Sequence, residues 1–201
     1  IKVSSLFSGI DGIDIGFEEA GFEIAWTNDI DSKTCKTYRH NFPNTYLIEG
    51  DVRDIDPRLL PDIDVLVAGF LGGRSQLWAF VVASKIQEGI GFFEISRFID
   101  IKQPRVVFLE NVCILMEHDN GKTFLVIYNT LYGVVTLQAK VMDAKDVNIQ
   151  NRTRVFIVAF LNIEDCDRFV FPESVSLEVA IEDILEYSVK QGNIYYHGLS
   201  S

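Results

Sequence analysis

The sequence predicts an α/β domain with a mostly parallel central sheet and helices on both faces, and three observations predict it. The opening, Ser5-Leu6-Phe7-Ser8-Gly9-Ile10-Asp11-Gly12-Ile13-Asp14-Ile15-Gly16, runs from a short buried strand through a glycine turn into a helix. Asp64-Val65-Leu66-Val67-Ala68-Gly69-Phe70 is a continuous apolar run, as a central parallel strand requires when helices cover both of its faces. Around these two stretches, β-type runs alternate with segments of helical period, the order that builds crossover units.

Taken in order, Ile13, Phe17, Ala20 and Phe22 recur at near-helical spacing, and Gly21 interrupts them before a strand at residues 23–26. Ala25-Trp26-Thr27-Asn28-Asp29 ends that strand in an acid, ~20 residues past the turn, the position that takes ribose hydroxyls in dinucleotide-type folds. Small residues in the first turn let a ligand approach the backbone, and the N–H groups of the new helix can hold an anionic group, so a nucleotide-like cofactor is the natural occupant. The same turn also serves many α/β proteins only to pack helix on sheet. Asp31 or Ser32 can cap the next helix, which carries Cys35, Tyr38 and Phe42 on one side and stops at Pro43. Leu47-Ile48 is a brief third strand, with Gly50-Asp51-Val52 ending it in another acid, and Pro57 and Pro61 punctuate a loop.

Whatever follows the apolar run at 64–70 stands at the carboxyl end of a central strand, where open α/β sheets place ligands and chemistry. A helix is expected from Gly91 through Ile99, then a buried strand at 105–109 topped by Glu110-Asn111-Val112. Asp119-Asn120-Gly121-Lys122-Thr123 reads as a turn opening a helix through Tyr132, with strands at 137–142 and 155–160, the latter preceded by Gln150-Asn151-Arg152-Thr153-Arg154. Residues 175–187 read as an acidic helix, and the tail with Tyr195-Tyr196-His197 carries no signal.

Composition narrows the classes. An apolar fraction of 48% in 201 residues supports one globular domain with a sizeable core. No apolar run reaches the ~18 residues of a membrane span and no leader is read at Ile1, so a cytoplasmic protein without membrane association is expected. Cys35, Cys113 and Cys166 have no metal-type spacing, which argues for reduced, buried thiols and no metal site. The net charge of −11 repels polyanions, so nucleic-acid contact would need a local patch or another chain.

Several blocks then stand in a telling order: Leu6-Phe7-Ser8-Gly9, Asn28-Asp29, Gly50-Asp51, Val67-Ala68-Gly69-Phe70, Phe92-Phe93-Glu94-Ile95, Pro104 through Val112, His118 through Thr123, and Gln150 through Arg154. In order and spacing, from Val3 to about Glu173, they resemble the DNA (cytosine-5) methyltransferases. The resemblance implies the S-adenosylmethionine-dependent methyltransferase fold, Rossmann-like, with one antiparallel strand. It also implies a chemistry in which a cysteine thiolate adds to carbon-6 of a flipped cytosine while a glutamate holds the ring nitrogen and amino group. By the resemblance Glu110 is that glutamate, and Arg152 and Arg154 lie beside the base and its backbone. Phe7 would lie against the adenine of S-adenosylmethionine, Gly9 and Gly12 would make room for its amino-acid end, Asp29 would bind the ribose, Asp51 would approach the adenine amino group, and Phe70 would border the pocket. The bare alternatives are core packing for the phenylalanines, a solvated strand-end acid for Glu110 and surface ion pairs for the arginines.

Departures from the pattern are equally specific. Where the family has Pro-Cys after Gly-Phe, this chain has Leu71-Gly72, so the nucleophile is absent at Gly72, and residues 71–90 keep the length but not the residues of the family's mobile loop. Asp11 replaces a glycine of the first turn and sets a negative charge near the cofactor carboxylate. Val147-Asn148-Ile149 replaces an aromatic-Gly-x-Pro approach to the arginines. Residues 1–174 therefore read as a methyltransferase-like catalytic and cofactor domain, and 175–201 as a helix and tail of the same domain or the start of a recognition region. Three accounts follow: a catalytic domain by descent whose active part is altered or whose remainder lies on another chain or was cut away, a cofactor- or partner-binding module without chemistry, and a sequence engineered or imperfectly assigned around the substituted loop. Double-stranded DNA is the substrate by resemblance, with weak binding expected for this chain alone. A Rossmann dehydrogenase would need GxGxxG, which Gly9-Ile10-Asp11-Gly12 does not supply.

Overall fold

The computed structural model describes residues 1–10, 12–69, 90–132, 136–147 and 150–175. Asp11, Phe70, Gly72 and the rest of 71–89, Asn148-Ile149 and the expected helix beyond Val175 lie outside them. Among the described residues the strands are β1 (Lys2–Leu6), β2 (Glu23–Asp29), β3 (Tyr46–Glu49), β4 (Val65–Gly69), β5 (Val106–Val112), β6 (Thr136–Asp143) and β7 (Thr153–Phe160). The helices are α1 (Gly12–Glu19), α2 (Ser32–Asn41), α3 (Ile90–Lys102), α4 (Lys122–Tyr132) and α5 (Ile163–Arg168).

The strands form one sheet in the order β3-β2-β1-β4-β5-β7-β6. The pairs from β3 to β5 are parallel, and β7 runs antiparallel to both of its neighbours. The order reverses between β1 and β4, which opens a crevice at their carboxyl ends.

Side-chain alternation assigns the two faces. Leu6, Trp26, Leu66, Ala68, Leu109 and Ile157 pack under Phe92, Ile95 and Phe98 of α3 and Ile127 and Leu131 of α4. On the opposite face Val3, Val65 and Val67 meet Ile13 and Phe17 of α1, with Phe17 set edge-on to Phe22 and Phe108. The run at β4 is apolar throughout because both of its faces are covered.

The structure amends the sequence reading at several points. β2 runs through Asp29, the acid read as its end, whereas β5 takes in Glu110-Asn111-Val112, which pair with Phe156, Val155 and Arg154 of β7. The antiparallel partner supplies the ladder bonds that local composition does not reveal. β3 stops at Glu49, and Asp51 caps a single 3-10 turn, Val52–Asp54, instead of ending the strand. Asp31 is the N-cap of α2, its carboxylate accepting from the Thr34 N–H. α5 had no expected counterpart; Asn162 caps it and Cys166 buries it against Val158 and Phe160. Cys35 and Cys166 are buried, whereas Cys113 is only half-buried.

Candidate functional site

Strand register sets the site. Ile48, Asn28, Leu6, Ala68 and Leu109 form one row across the sheet, and the next row toward the carboxyl edge holds Glu49, Asp29, Gly69 and Glu110, with Phe7 following Leu6. The two acids that the sequence singled out on β2 and β5 therefore stand on one edge, with the first turn and the end of β4 between them.

The first turn is held in a demanding shape. Phe7 has φ 56° and Gly9 φ 66°, and a non-glycine residue in this region costs on the order of 1–2 kcal/mol. Hydrogen bonds from the turn to β2 offset that cost. The Ser8 N–H donates to the Asn28 carbonyl at 3.1 Å, and the Gly9 N–H donates to Asp29 Oδ2 at 2.9 Å. Asp29 Oδ1 accepts from the Asp31 N–H at 2.8 Å. Asn28 Nδ2 donates to the carbonyls of Ile48 and Gly50, both at 2.9 Å, so the ends of β1, β2 and β3 are knitted together. Asp29 thus shapes the turn as well as facing its edge, and each carboxylate oxygen retains acceptor capacity for a ribose hydroxyl.

Among the described residues a side-chain carbon built on Gly9, Gly12 or Gly50 would meet nothing within 4 Å, which fits close approach by the cofactor the resemblance implies. The Phe7 ring rests on the start of α3, 3.8 Å from where a side-chain carbon on Gly91 would stand. Ile30, next to Asp29, is 66% exposed and offers an apolar surface beside the turn; nothing in its sequence context marks it.

Asp51 is engaged on several sides. Its carboxylate accepts from the Arg53 N–H at 2.9 Å, from Arg53 Nε at 2.9 and 3.0 Å, and from Arg53 Nη2. These bonds hold its carboxyl well below the ordinary value of 3.8, at about 2. Because the folded value is the lower one, this group favours the fold above 3.8 and loses that contribution as pH falls through 3.8 toward about 2. At neutral pH it is an anionic acceptor.

Sequence reasoning missed the acid beneath the turn. Asp14, in the first turn of α1, is 1% exposed and accepts from the Ser5 hydroxyl and from Tyr38 Oη, the latter at 2.7 Å. It ties α1 to β1 and α2. An acid on the otherwise apolar inward stripe of Ile13 and Phe17 was the available signal.

At the β5 end, Glu110 forms an ion pair with Arg154 Nε at 2.9 Å, and Arg152 Nη2 stands 4.0 Å away. Glu110 Oε2 lies 3.9 Å from where a side-chain carbon on Gly69 would be, so that glycine leaves room beside it. Asp143 accepts from the Arg152 N–H at 3.0 Å and from Thr153 Oγ1 at 2.9 Å, fixing the approach to the arginines. The resemblance-derived Glu110, Arg152 and Arg154 are brought together. So are Phe7, Gly9 and Asp29, with Asp51 beyond β3 and Gly12 opening α1. Phe70, Gly72 and Asp11 fall outside the described residues. Among those residues no cluster of three or more His, Cys, Asp or Glu could hold a metal, and no helix is long and apolar enough to cross a membrane.

Comparison with known proteins places this geometry. The sequence model of the family described as C-5 cytosine-specific DNA methylase matches residues 1–199. The chain is 41% identical over 202 residues to the type II methyltransferase M.Bsp6I of Bacillus sp. (strain RFL6), covering 98% of this chain and 64% of that protein. It is 33% identical to the type II methyltransferase M.HhaI of Haemophilus parahaemolyticus, covering 92% and 57%. Among solved structures, the methyltransferase EhMeth of Entamoeba histolytica shares the fold with a TM-score of 0.72 at 18% identity, covering 94% of this chain and 61% of that one. The chain spans roughly half to just under two thirds of the length of the curated relatives it matches.

Proposed function

The chain belongs to the C-5 cytosine-specific DNA methylase family, whose methyl donor is S-adenosylmethionine, and from that premise we propose that it forms the cofactor- and base-holding part of a DNA cytosine-5 methyltransferase and transfers no methyl group by itself. The observation that carries this reading is the single edge on which Asp29, Phe7, Gly69 and Glu110 stand.

In this reading the bound cofactor supplies the electrophilic methyl group. Asp29 accepts a ribose hydroxyl while its other bonds keep the Phe7–Gly9 turn in shape. Phe7 lies against the adenine and Asp51 accepts from the adenine amino group; by the resemblance Phe70, outside the described residues, would border the pocket. Gly9 and Gly12 leave room at the amino-acid end. At the far end Glu110 takes the ring-nitrogen and amino edge of a cytosine, with Arg154 fixing its carboxylate and Arg152 beside the backbone. Residues 1–174 act as one domain in this account.

Two features limit it to holding. Gly72 carries no group that can add to carbon-6, and a net charge of −11 with no run of basic residues opposes the counterion displacement on which duplex DNA binding depends. Sequence recognition and tight DNA binding then come from outside these 201 residues, whether on the same chain or on a partner; the alternative reading is a catalytically dead cofactor- or partner-binding subunit of a split or relic methylase.

Calorimetry with S-adenosylhomocysteine tests the reading. Saturable heat and a rise in melting temperature are expected, since a ligand that prefers the folded state stabilises it. Asp29→Ala should weaken the affinity about tenfold or more, the scale of a lost hydrogen bond to a charged group. Saturating ligand that gives neither heat nor thermal shift would remove the cofactor claim.

A further inference from the structure

Arg97, on α3, makes a set of contacts that the site described so far does not use. Its Nη1 donates to the Ile55 carbonyl and its Nη2 to the Val52 carbonyl, each at 2.9 Å. Its Nε donates to Glu94 Oε2 at 2.7 Å, and its guanidinium lies 5.0 Å from the centre of the Phe98 ring. Both carbonyls belong to the short turn that Asp51 caps, and the turn's own bonds run from the Asp54 N–H to the Asp51 carbonyl and from the Ile55 N–H to the Val52 carbonyl. One side chain thus clamps the Asp51 turn to α3. The same helix begins at the Phe7 ring, against Gly91. α3 therefore sets the separation between the two residues that the cofactor reading assigns to the adenine.

Only a planar fork can do this. A guanidinium presents several donors in fixed directions, whereas the single nitrogen of lysine cannot reach two carbonyls and a carboxylate with the same geometry. Glu94 holds the fork in register from the preceding turn of the helix.

We propose that Arg97 is a positioning residue for adenine recognition: by fixing the Val52 and Ile55 carbonyls to α3, it holds the Asp51 carboxylate where it can take the purine amino group while the Phe7 ring, seated on the same helix, faces the base. The proposal rests on the cofactor reading given above. It makes Arg97 responsible for discrimination at the purine 6-position rather than for binding in general. A 6-oxo purine presents an acceptor to the Asp51 carboxylate and should be disfavoured only while that carboxylate is held in place.

The test compares S-adenosylhomocysteine with S-inosylhomocysteine, in which an oxo group replaces the 6-amino group, by calorimetry on the unmodified chain, Arg97→Lys and Arg97→Met. Arg97→Lys keeps the charge and most of the aliphatic stem, and so guards against a variant that only unfolds. The unmodified chain should prefer the adenine ligand, and both variants should lose about tenfold of that preference, with affinity for the inosine ligand little changed. Without any ligand, hydrogen exchange at the Asp54 and Ile55 amides should accelerate in both variants, as expected of a turn released from its clamp. Equal losses for the two ligands, or an unchanged preference, would overturn the positioning role while leaving the cofactor reading intact. An unmodified chain that binds neither ligand would overturn the cofactor reading and this proposal with it.

Discussion

The isolated chain is expected to transfer no methyl group to cytosine, and Gly72→Cys is expected not to restore transfer. The family's reaction needs a thiolate held at bonding distance from carbon-6 while the glutamate grips the opposite edge, and positioning of that kind lowers the barrier by ~7–11 kcal/mol. A cysteine at position 72 would lack the rigid proline before it and would stand in a segment whose residues Leu77-Trp78-Ala79-Phe80 are more apolar than a DNA-closing loop requires. By the resemblance the thiolate belongs at position 72, and none of Cys35, Cys113 and Cys166 stands there in the sequence. Cys35 is buried on α2, where burial and the nearby acids push its thiol above the ordinary value, and Cys166 is buried against β7. Transfer of labelled methyl groups to duplex oligonucleotides measures turnover, and a 5-fluorocytosine oligonucleotide separately reports covalent capture by the substituted cysteine. Turnover by the unmodified chain would refute the inference, because it would require a nucleophile other than the family's.

Asp14→Ala is expected to remove about 2–5 kcal/mol of stability, a large part of the ~5–15 kcal/mol that holds a domain of this size. The substitution withdraws the acceptor of two hydroxyls, Ser5 Oγ and Tyr38 Oη, that lie among fully buried residues. Asp14→Asn keeps the shape and one acceptor oxygen and should cost less. Urea denaturation reads both, and the midpoint should fall without a change in slope, since the fold and the surface exposed on unfolding are retained. A midpoint within error of the unmodified chain would show that the Asp14 bonds contribute nothing net.

What the sequence reveals and what it withholds follow from how local the signal is. β4 and the first half of β5 are legible because residues covered on both faces must be apolar, β1 is legible from the glycine turn that follows it, and the end of α2 is legible because Pro43 disfavours helix before it. Glu110 is legible because it follows the apolar run 106–109, and Asp29 because it ends a strand at the spacing after the first turn where a ribose-binding acid is expected. The extension of β5 through Val112 depends on β7, some forty residues away, and so leaves no trace in its own composition. Asp51 was read as a strand end, but Arg53, two residues on, draws its carboxylate into a cap. Arg97 and Asp14 act through partners distant in sequence, Val52 and Ile55 for the one, Tyr38 for the other, and only the folded chain brings those partners into reach. The resemblance supplied roles for residues whose types alone allowed a plain packing alternative.

The central claim is that a cofactor lies across the carboxyl ends of β1, β2 and β3, and amide chemical-shift mapping during a titration with S-adenosylhomocysteine tests it most directly. The account predicts saturable shifts concentrated at Ser8, Gly9, Gly12, Asp29 and Ile30, and at the Gly50-Asp51-Val52 segment, with the amides of β6 and α5 unmoved. Shifts confined to residues away from that edge, or none at saturating ligand, would contradict it.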